Sequence, residues 1–144
     1  MGISEDKIAD LRVKRLELLT GSIARMASYS ASLKTFCMTV LTAVVGAALT
    51  LKAPLVLLVG FLPILGFALL DAQYLRMEKR FRGLYRSAAS EPWSAVPDFT
   101  IDPSKGEPIG FWRTCCSWSI LNFYGCIALL LALFFIVARR QFCG

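Results

Sequence analysis

Three stretches without a charged residue, at positions 35–51, 55–70 and 117–138, constrain this chain more than any other feature. A helix of 17 residues rises about 26 Å, close to the roughly 30 Å of a bilayer's hydrocarbon core. A backbone in hydrocarbon must satisfy its own polar groups, so such stretches are expected to span as α-helices. Lys34 and Lys52 flank the first stretch, where their long stems can carry the charge to the headgroups. Only the short segment 52–54 separates it from the second, so the two are expected to form a hairpin, with Pro54 in the first turn of the returning helix. Pro63, between Gly60 and Gly66, predicts a kink in that helix. A mean hydropathy of +0.59 with 18% charged residues agrees with a membrane protein.

The segments between the apolar runs have distinct characters. Residues 1–34 carry Leu16, Leu19, Ile23, Met26, Ser30 and Leu33 at alternating spacings of 3 and 4, the a/d stripe of an amphipathic helix. They lack the apolar core of a secretory signal and are expected to lead straight into the first span. Residues 72–88 contain one Gly and no Pro, with apolar residues at helical spacing, so the second span is expected to project beyond the membrane as a basic helical stalk. Residues 89–113 hold four of the six prolines and read as a linker, with 96–101 as a candidate short strand. Residues 114–138 form the third span, which Arg139 and Arg140 are expected to stop, leaving a tail at 139–144. The expected fold is therefore all-α, with three transmembrane helices.

The Lys and Arg distribution predicts orientation. Residues 1–34 carry six and residues 72–116 carry seven, whereas the hairpin turn and the tail together carry three. The amino terminus and the linker are expected in the cytoplasm and the carboxyl terminus outside. The net charge of +6 points to anionic lipid, not nucleic acid, as the partner of the basic surface.

Few residues are candidates for function. Thr35, Thr39, Thr42, Gly46 and Thr50 fall on one face of the first span, suited either to close helix packing or to lining a pore between subunits. Asp71 lies at a span boundary, where a cap or a pair with Arg76 or Lys34 is the ordinary expectation, and Asn122 in the third span is suited to an interhelical hydrogen bond. Arg76, Lys79, Arg80, Arg82 and Arg86 form a basic surface open to three readings: anionic lipid, a cytoplasmic protein partner, or an anionic small molecule such as a nucleotide messenger. The chain has no His, and its five cysteines (37, 115, 116, 126 and 143) contain no C-x-x-C spacing, so neither a metal site nor a cofactor is expected. Phosphate-loop, dinucleotide, nucleophile-elbow and zinc-protease patterns are absent from the sequence, and no enzyme activity is expected.

The run Phe61-Leu-Pro-Ile-Leu-Gly-Phe67, followed by Leu70-Asp-Ala-Gln-Tyr-Leu-Arg-Met-Glu-Lys-Arg-Phe-Arg-Gly-Leu-Tyr-Arg86, resembles a group of small bacterial membrane proteins. These carry a Leu-Asp-Ala-x-Tyr-Leu-Arg-x-Glu-x-x-Phe-Arg-x-Leu-Tyr pattern after a transmembrane hairpin. Ser30-Ala-Ser-Leu-Lys-Thr-Phe36 fits the same group, so the likeness covers roughly residues 20–90. It implies similarity to membrane effectors of bacterial antiviral systems, which are paired with a sensor that makes a nucleotide signal. It brings no catalytic residues. Three spans of this size cannot enclose an aqueous path alone, so such an effector is expected to be a homo-oligomer in the bacterial inner membrane, with the stripe at 16–33 as one assembly surface. A membrane anchor that recruits a soluble partner is the alternative expectation. A phage holin ranks third, because holins usually carry their basic cluster at the tail and here it is central.

Overall fold

A computed structural model describes residues 5–92, 97–103 and 108–143. The described elements are helical: α1 (Glu5–Thr50), α2 (Val56–Val59), α3 (Phe61–Ser90), α4 (Phe111–Cys115) and α5 (Trp118–Cys143). No strand occurs among the described residues; 97–101 is irregular, and Val96 lies outside them. Three helical stretches are long and apolar enough to cross a membrane, Glu5–Thr50, Val56–Ser90 and Trp118–Gln141. Leu55, Leu62, Leu65, Leu129 and Leu130 are each more than half exposed on their outer surfaces, an arrangement suited to lipid and not to water.

α1 is continuous over 46 residues, about 69 Å, so it exceeds a bilayer's hydrocarbon core by more than half its length. It ends in a Schellman motif. Ala53 N–H donates to Ala48 C=O at 3.1 Å and Lys52 N–H to Leu49 C=O at 3.2 Å. Lys52 occupies the left-handed position of that motif (φ 49°), where glycine is usual. Pro54 follows and blocks further helix along the same axis.

The interruption in the second span falls at Gly60, between α2 and α3, three residues before the proline that causes it. Pro63 has no N–H to offer the Val59 carbonyl one turn back. Around the break the ladder tightens to three-residue hydrogen bonds, including Gly60 N–H to Leu57 C=O at 3.0 Å. Gly60 is also where three helices meet. A Cβ there would lie 2.9 Å from Leu131 Cδ2, 3.1 Å from Leu57 O and 3.3 Å from Leu41 Cδ2. Gly60→Val is therefore expected to cost about 2 kcal/mol through overpacking, measured as thermal stability in detergent. Gly66→Val, whose Cβ meets nothing within 4 Å, is the matched control and should cost well under half of that.

Two apolar clusters hold the helices together. In the first, Cys37, Leu41 and Ala48 of α1, Leu57 of α2, Ile64 and Ala72 of α3, and Ile120, Tyr124, Leu131 and Ala138 of α5 pack together. The α5 members recur at 4- and 7-residue intervals and so lie along one face of that helix. In the second, Leu19 of α1 packs on Phe81 and Ala88 of α3, with Leu16, Ile23, Met77, Leu84, Tyr85 and Ile101 around them. The stripe at 16–33 thus meets α3 of the same chain. Leu19 is buried in this contact, and Leu16 and Ile23 are partly buried there.

The carboxyl-terminal span also differs in detail. Its helix begins after a break at Cys116–Ser117, where Ser117 N–H turns back to Thr114 C=O at 3.0 Å. It runs on through Arg139 and Arg140 to Cys143. Two arginines end the apolar run, but nothing in their backbone preference ends a helix.

Candidate functional site

The polar residues of this fold gather at three places, and the first joins the two sequence stretches quoted above. Ser30 and Lys34 stand one turn apart on α1, facing Asp71 on α3. Asp71 is 1% exposed. The Ser30 hydroxyl donates to its Oδ1, and Lys34 Nζ lies 3.1 Å from Oδ2 as an ion pair, at an angle that leaves Oδ2 without a well-formed hydrogen bond. Lys34 Nζ also donates to Ser30 Oγ at 3.0 Å and sits 5.9 Å from the centre of the Phe123 ring. The Tyr124 hydroxyl is buried in the same neighbourhood, beside the Asp71 carboxylate. Of the two partners weighed for Asp71, Lys34 is the one in contact. The motif's Asp71, Ala72, Glu78 and Phe81 are all buried, and its Tyr74 stacks against Tyr29 of α1 at 5.4 Å.

The second place is a basic cleft between α3 and the chain entering α4. Lys79, Arg82 and Arg86 of α3, at spacings of 3 and 4, line it on one side; Arg113, Pro108 and Ile109 line the other. Its volume is about 680 Å³. Arg76, from the same basic set, points instead to the backbone: its Nε donates to Ile109 O at 2.8 Å and so holds that segment against α3. Glu78 is buried and ion-paired with Arg82 one turn on. Arg80 turns away from the cleft, its Nε buried without a hydrogen-bond partner among the described residues. The five basic residues of the sequence motif therefore divide. Three share a cavity, one clamps the neighbouring segment, and one is half-buried elsewhere. Arg113 joins the cavity although it stands 27 positions beyond Arg86, a juxtaposition that only the fold supplies.

The third place is the outer face of α1. Thr35, Thr39, Thr42, Gly46 and Thr50 are exposed, and each threonine hydroxyl donates to the carbonyl four residues back, at 2.9–3.2 Å. Gly46 has nothing within 4 Å of where its Cβ would be. No helix of the protomer covers this face among the described residues. Beside it, α1 and α5 diverge to leave an apolar groove of about 390 Å³, lined by Met38, Leu41, Thr42 and Val45 against Ile127, Leu130, Leu131 and Phe134. Asn122 is exposed on α5, where its Oδ1 receives the Cys126 thiol at 3.8 Å, one turn along the same helix. The interhelical bond expected of Asn122 is not formed within the described protomer.

Sequence reasoning missed one feature altogether. Arg12 of α1 is buried, and its guanidinium donates to the carbonyls of Ala88, Glu91 and Pro92 at the end of α3. Arg15 pairs with the Glu91 carboxylate at 2.7 Å. The available signal was the end of α3, whose last turn has no basic residue of its own and is followed by Glu91.

Among the described residues, no group of three or more His, Cys, Asp and Glu side chains could hold a metal ion. Comparison with protein-family models, with curated proteins and with solved structures finds no match for this chain.

Proposed function

We propose that this chain is the protomer of an oligomeric inner-membrane effector of a bacterial antiviral defence system, forming a pore or disrupting the membrane when a cytoplasmic signal arrives. The observation that carries the reading is the uncovered, hydroxylated face of α1. Its threonines satisfy their own hydroxyls, so the face tolerates lipid, yet Gly46 and the threonines allow a second helix to approach closely. A single protomer has no room for an aqueous path, so the pore lies between copies. In this reading α1 contributes an amphipathic cytoplasmic helix before its span, and α3 carries a basic cytoplasmic stalk beyond it. The amino terminus and the linker face the cytoplasm, and the carboxyl terminus lies outside. The likeness of residues 20–90 to defence effectors supports the biological setting. No catalysis, metal or cofactor is assigned.

Gly46→Leu tests this. A Cβ at this exposed position meets nothing within 4 Å, so the melting temperature should stay within about 2 °C of the unmodified chain. In nanodiscs, mass photometry should find four or more copies for the unmodified chain and fewer for the variant. Depolarisation in cells expressing the chain with its chromosomal neighbours should fall at least tenfold. A monomeric unmodified chain that leaves the membrane potential intact would favour the anchor reading. That second reading rests on Leu11, Val13 and Leu18, which are exposed on the amino-terminal part of α1 and offer a soluble partner an apolar surface.

A further inference from the structure

The basic cleft at the foot of α3 has a composition that the membrane spans do not explain. Lys79, Arg82 and Arg86 fall on one helical face, one turn apart, where like charges destabilise a helix by a few tenths of a kcal/mol per pair. The fold adds a fourth cation, Arg113, from across the cleft. It does so through a specific device, the hydrogen bond from Arg76 Nε to Ile109 O that pins the segment leading into α4. Glu78 neutralises part of Arg82 through one terminal nitrogen. Among the described residues, no ion pair engages Lys79, Arg86 or Arg113. A chain concerned only with orientation in the bilayer has no need to converge these charges on one cavity, since topology depends on their number and side.

We propose that this cleft binds a phosphate-bearing anion, with Arg82, Arg86 and Arg113 as its bidentate contacts and Lys79 as a point charge. Three arginines to one lysine is the composition that suits planar, two-point recognition of phosphate oxygens. A volume of about 680 Å³ is that of a small-molecule pocket, larger than a single phosphate needs. Pro108 and Ile109 give part of the wall an apolar surface against which the uncharged part of such a molecule can rest. The inference stands on the cleft and not on the pore-forming reading: a chain that never depolarises a membrane would still bind the anion.

Two sources offer this chemistry, a soluble phosphate compound and the headgroup of an anionic phospholipid. The test uses the full chain in nanodiscs and inorganic pyrophosphate as the probe, by isothermal titration calorimetry. In phosphatidylcholine discs, pyrophosphate should bind saturably. Arg86→Gln and Arg113→Gln should each weaken it about tenfold or more, the loss expected for one charge-assisted contact. Both side chains are exposed, so neither change disturbs the core. Arg139→Gln with Arg140→Gln, at the far end of α5, should leave binding unchanged. Repeating the titration in discs containing phosphatidylglycerol separates the sources. Binding that persists identifies a soluble ligand. Binding that is lost, together with phosphatidylglycerol retention in native mass spectra that drops in Arg86→Gln and Arg113→Gln, identifies a lipid headgroup. The proposal is overturned if neither pyrophosphate binding nor phosphatidylglycerol retention responds to the two cleft substitutions, or if the Arg139 and Arg140 changes reduce either by as much.

Discussion

Lys34→Met is expected to destabilise the protein by about 3–5 kcal/mol, more than the removal of its partner Asp71. The asymmetry follows from burial. Asp71 is 1% exposed and lies between α1 and α3, so a carboxylate left without its ammonium faces only neutral groups such as the hydroxyls of Ser30 and Tyr124. Lys34 keeps 23% of its side chain exposed, has the Phe123 ring 5.9 Å away, and can extend toward the headgroups. Asp71→Asn should therefore cost only about 1–2 kcal/mol, the value of one charge-assisted contact. The double change Lys34→Met with Asp71→Leu should recover most of the loss, because a buried ion pair replaced by apolar groups of similar volume is often neutral. Reversible unfolding in mixed micelles measures all three. An Asp71→Asn loss equal to or above that of Lys34→Met would mean that the ammonium, not the carboxylate, is the group trapped in the interior.

The three helices long and apolar enough to cross a membrane were legible in the sequence because length and apolarity are properties of each segment separately, without reference to any other segment. The continuity of α1 and of α3 was legible for a similar local reason: no proline or glycine pair interrupts residues 5–50 or 64–90. The pair of Lys34 with Asp71 was among the expected contacts, but what eluded sequence reading depends on which helix lies beside which. The stripe at Leu16, Leu19 and Ile23 announced a helical partner, but periodicity is silent on whether the partner is another subunit or α3 of the same chain. Pro63 announced a distortion, yet its effect lies a turn earlier, because the hydrogen bond it removes is the one to Val59. The basic residues at 76–86 read as one surface, and only the packing of the segment at Ile109 divides them into a clamp, a cleft and a half-buried arginine. Arg113 is the clearest instance, since nothing local to Trp112 and Thr114 connects it with α3.

Arg12 is the other residue with a large expected effect, and its role is the closure of the fold at the end of α3, beside the second apolar cluster. A helix end leaves its last carbonyls without intrahelical donors and carries a partial negative charge. At the end of α3 those needs fall on Ala88 and on the chain just beyond, at Glu91 and Pro92, and a single buried guanidinium from α1 meets all three carbonyls. Arg12→Ala should cost about 3 kcal/mol, the upper range for hydrogen bonds to a charged donor at one site. Arg15→Ala removes only a partly exposed ion pair with Glu91 and should cost about 0.5 kcal/mol. Arg12→Lys should restore less than half of the loss, because one ammonium has no planar fork to spread across three carbonyls. Amide hydrogen exchange provides the local readout. In Arg12→Ala, residues 84–92 should exchange roughly a hundredfold faster while residues 61–75, held by the apolar core, keep their protection. Unchanged exchange at 84–92 would remove Arg12 as the cap. A uniform rise along α3 would mean that the two ends of the helix unfold together, and that the guanidinium contributes to global stability instead of closing one end of the protomer.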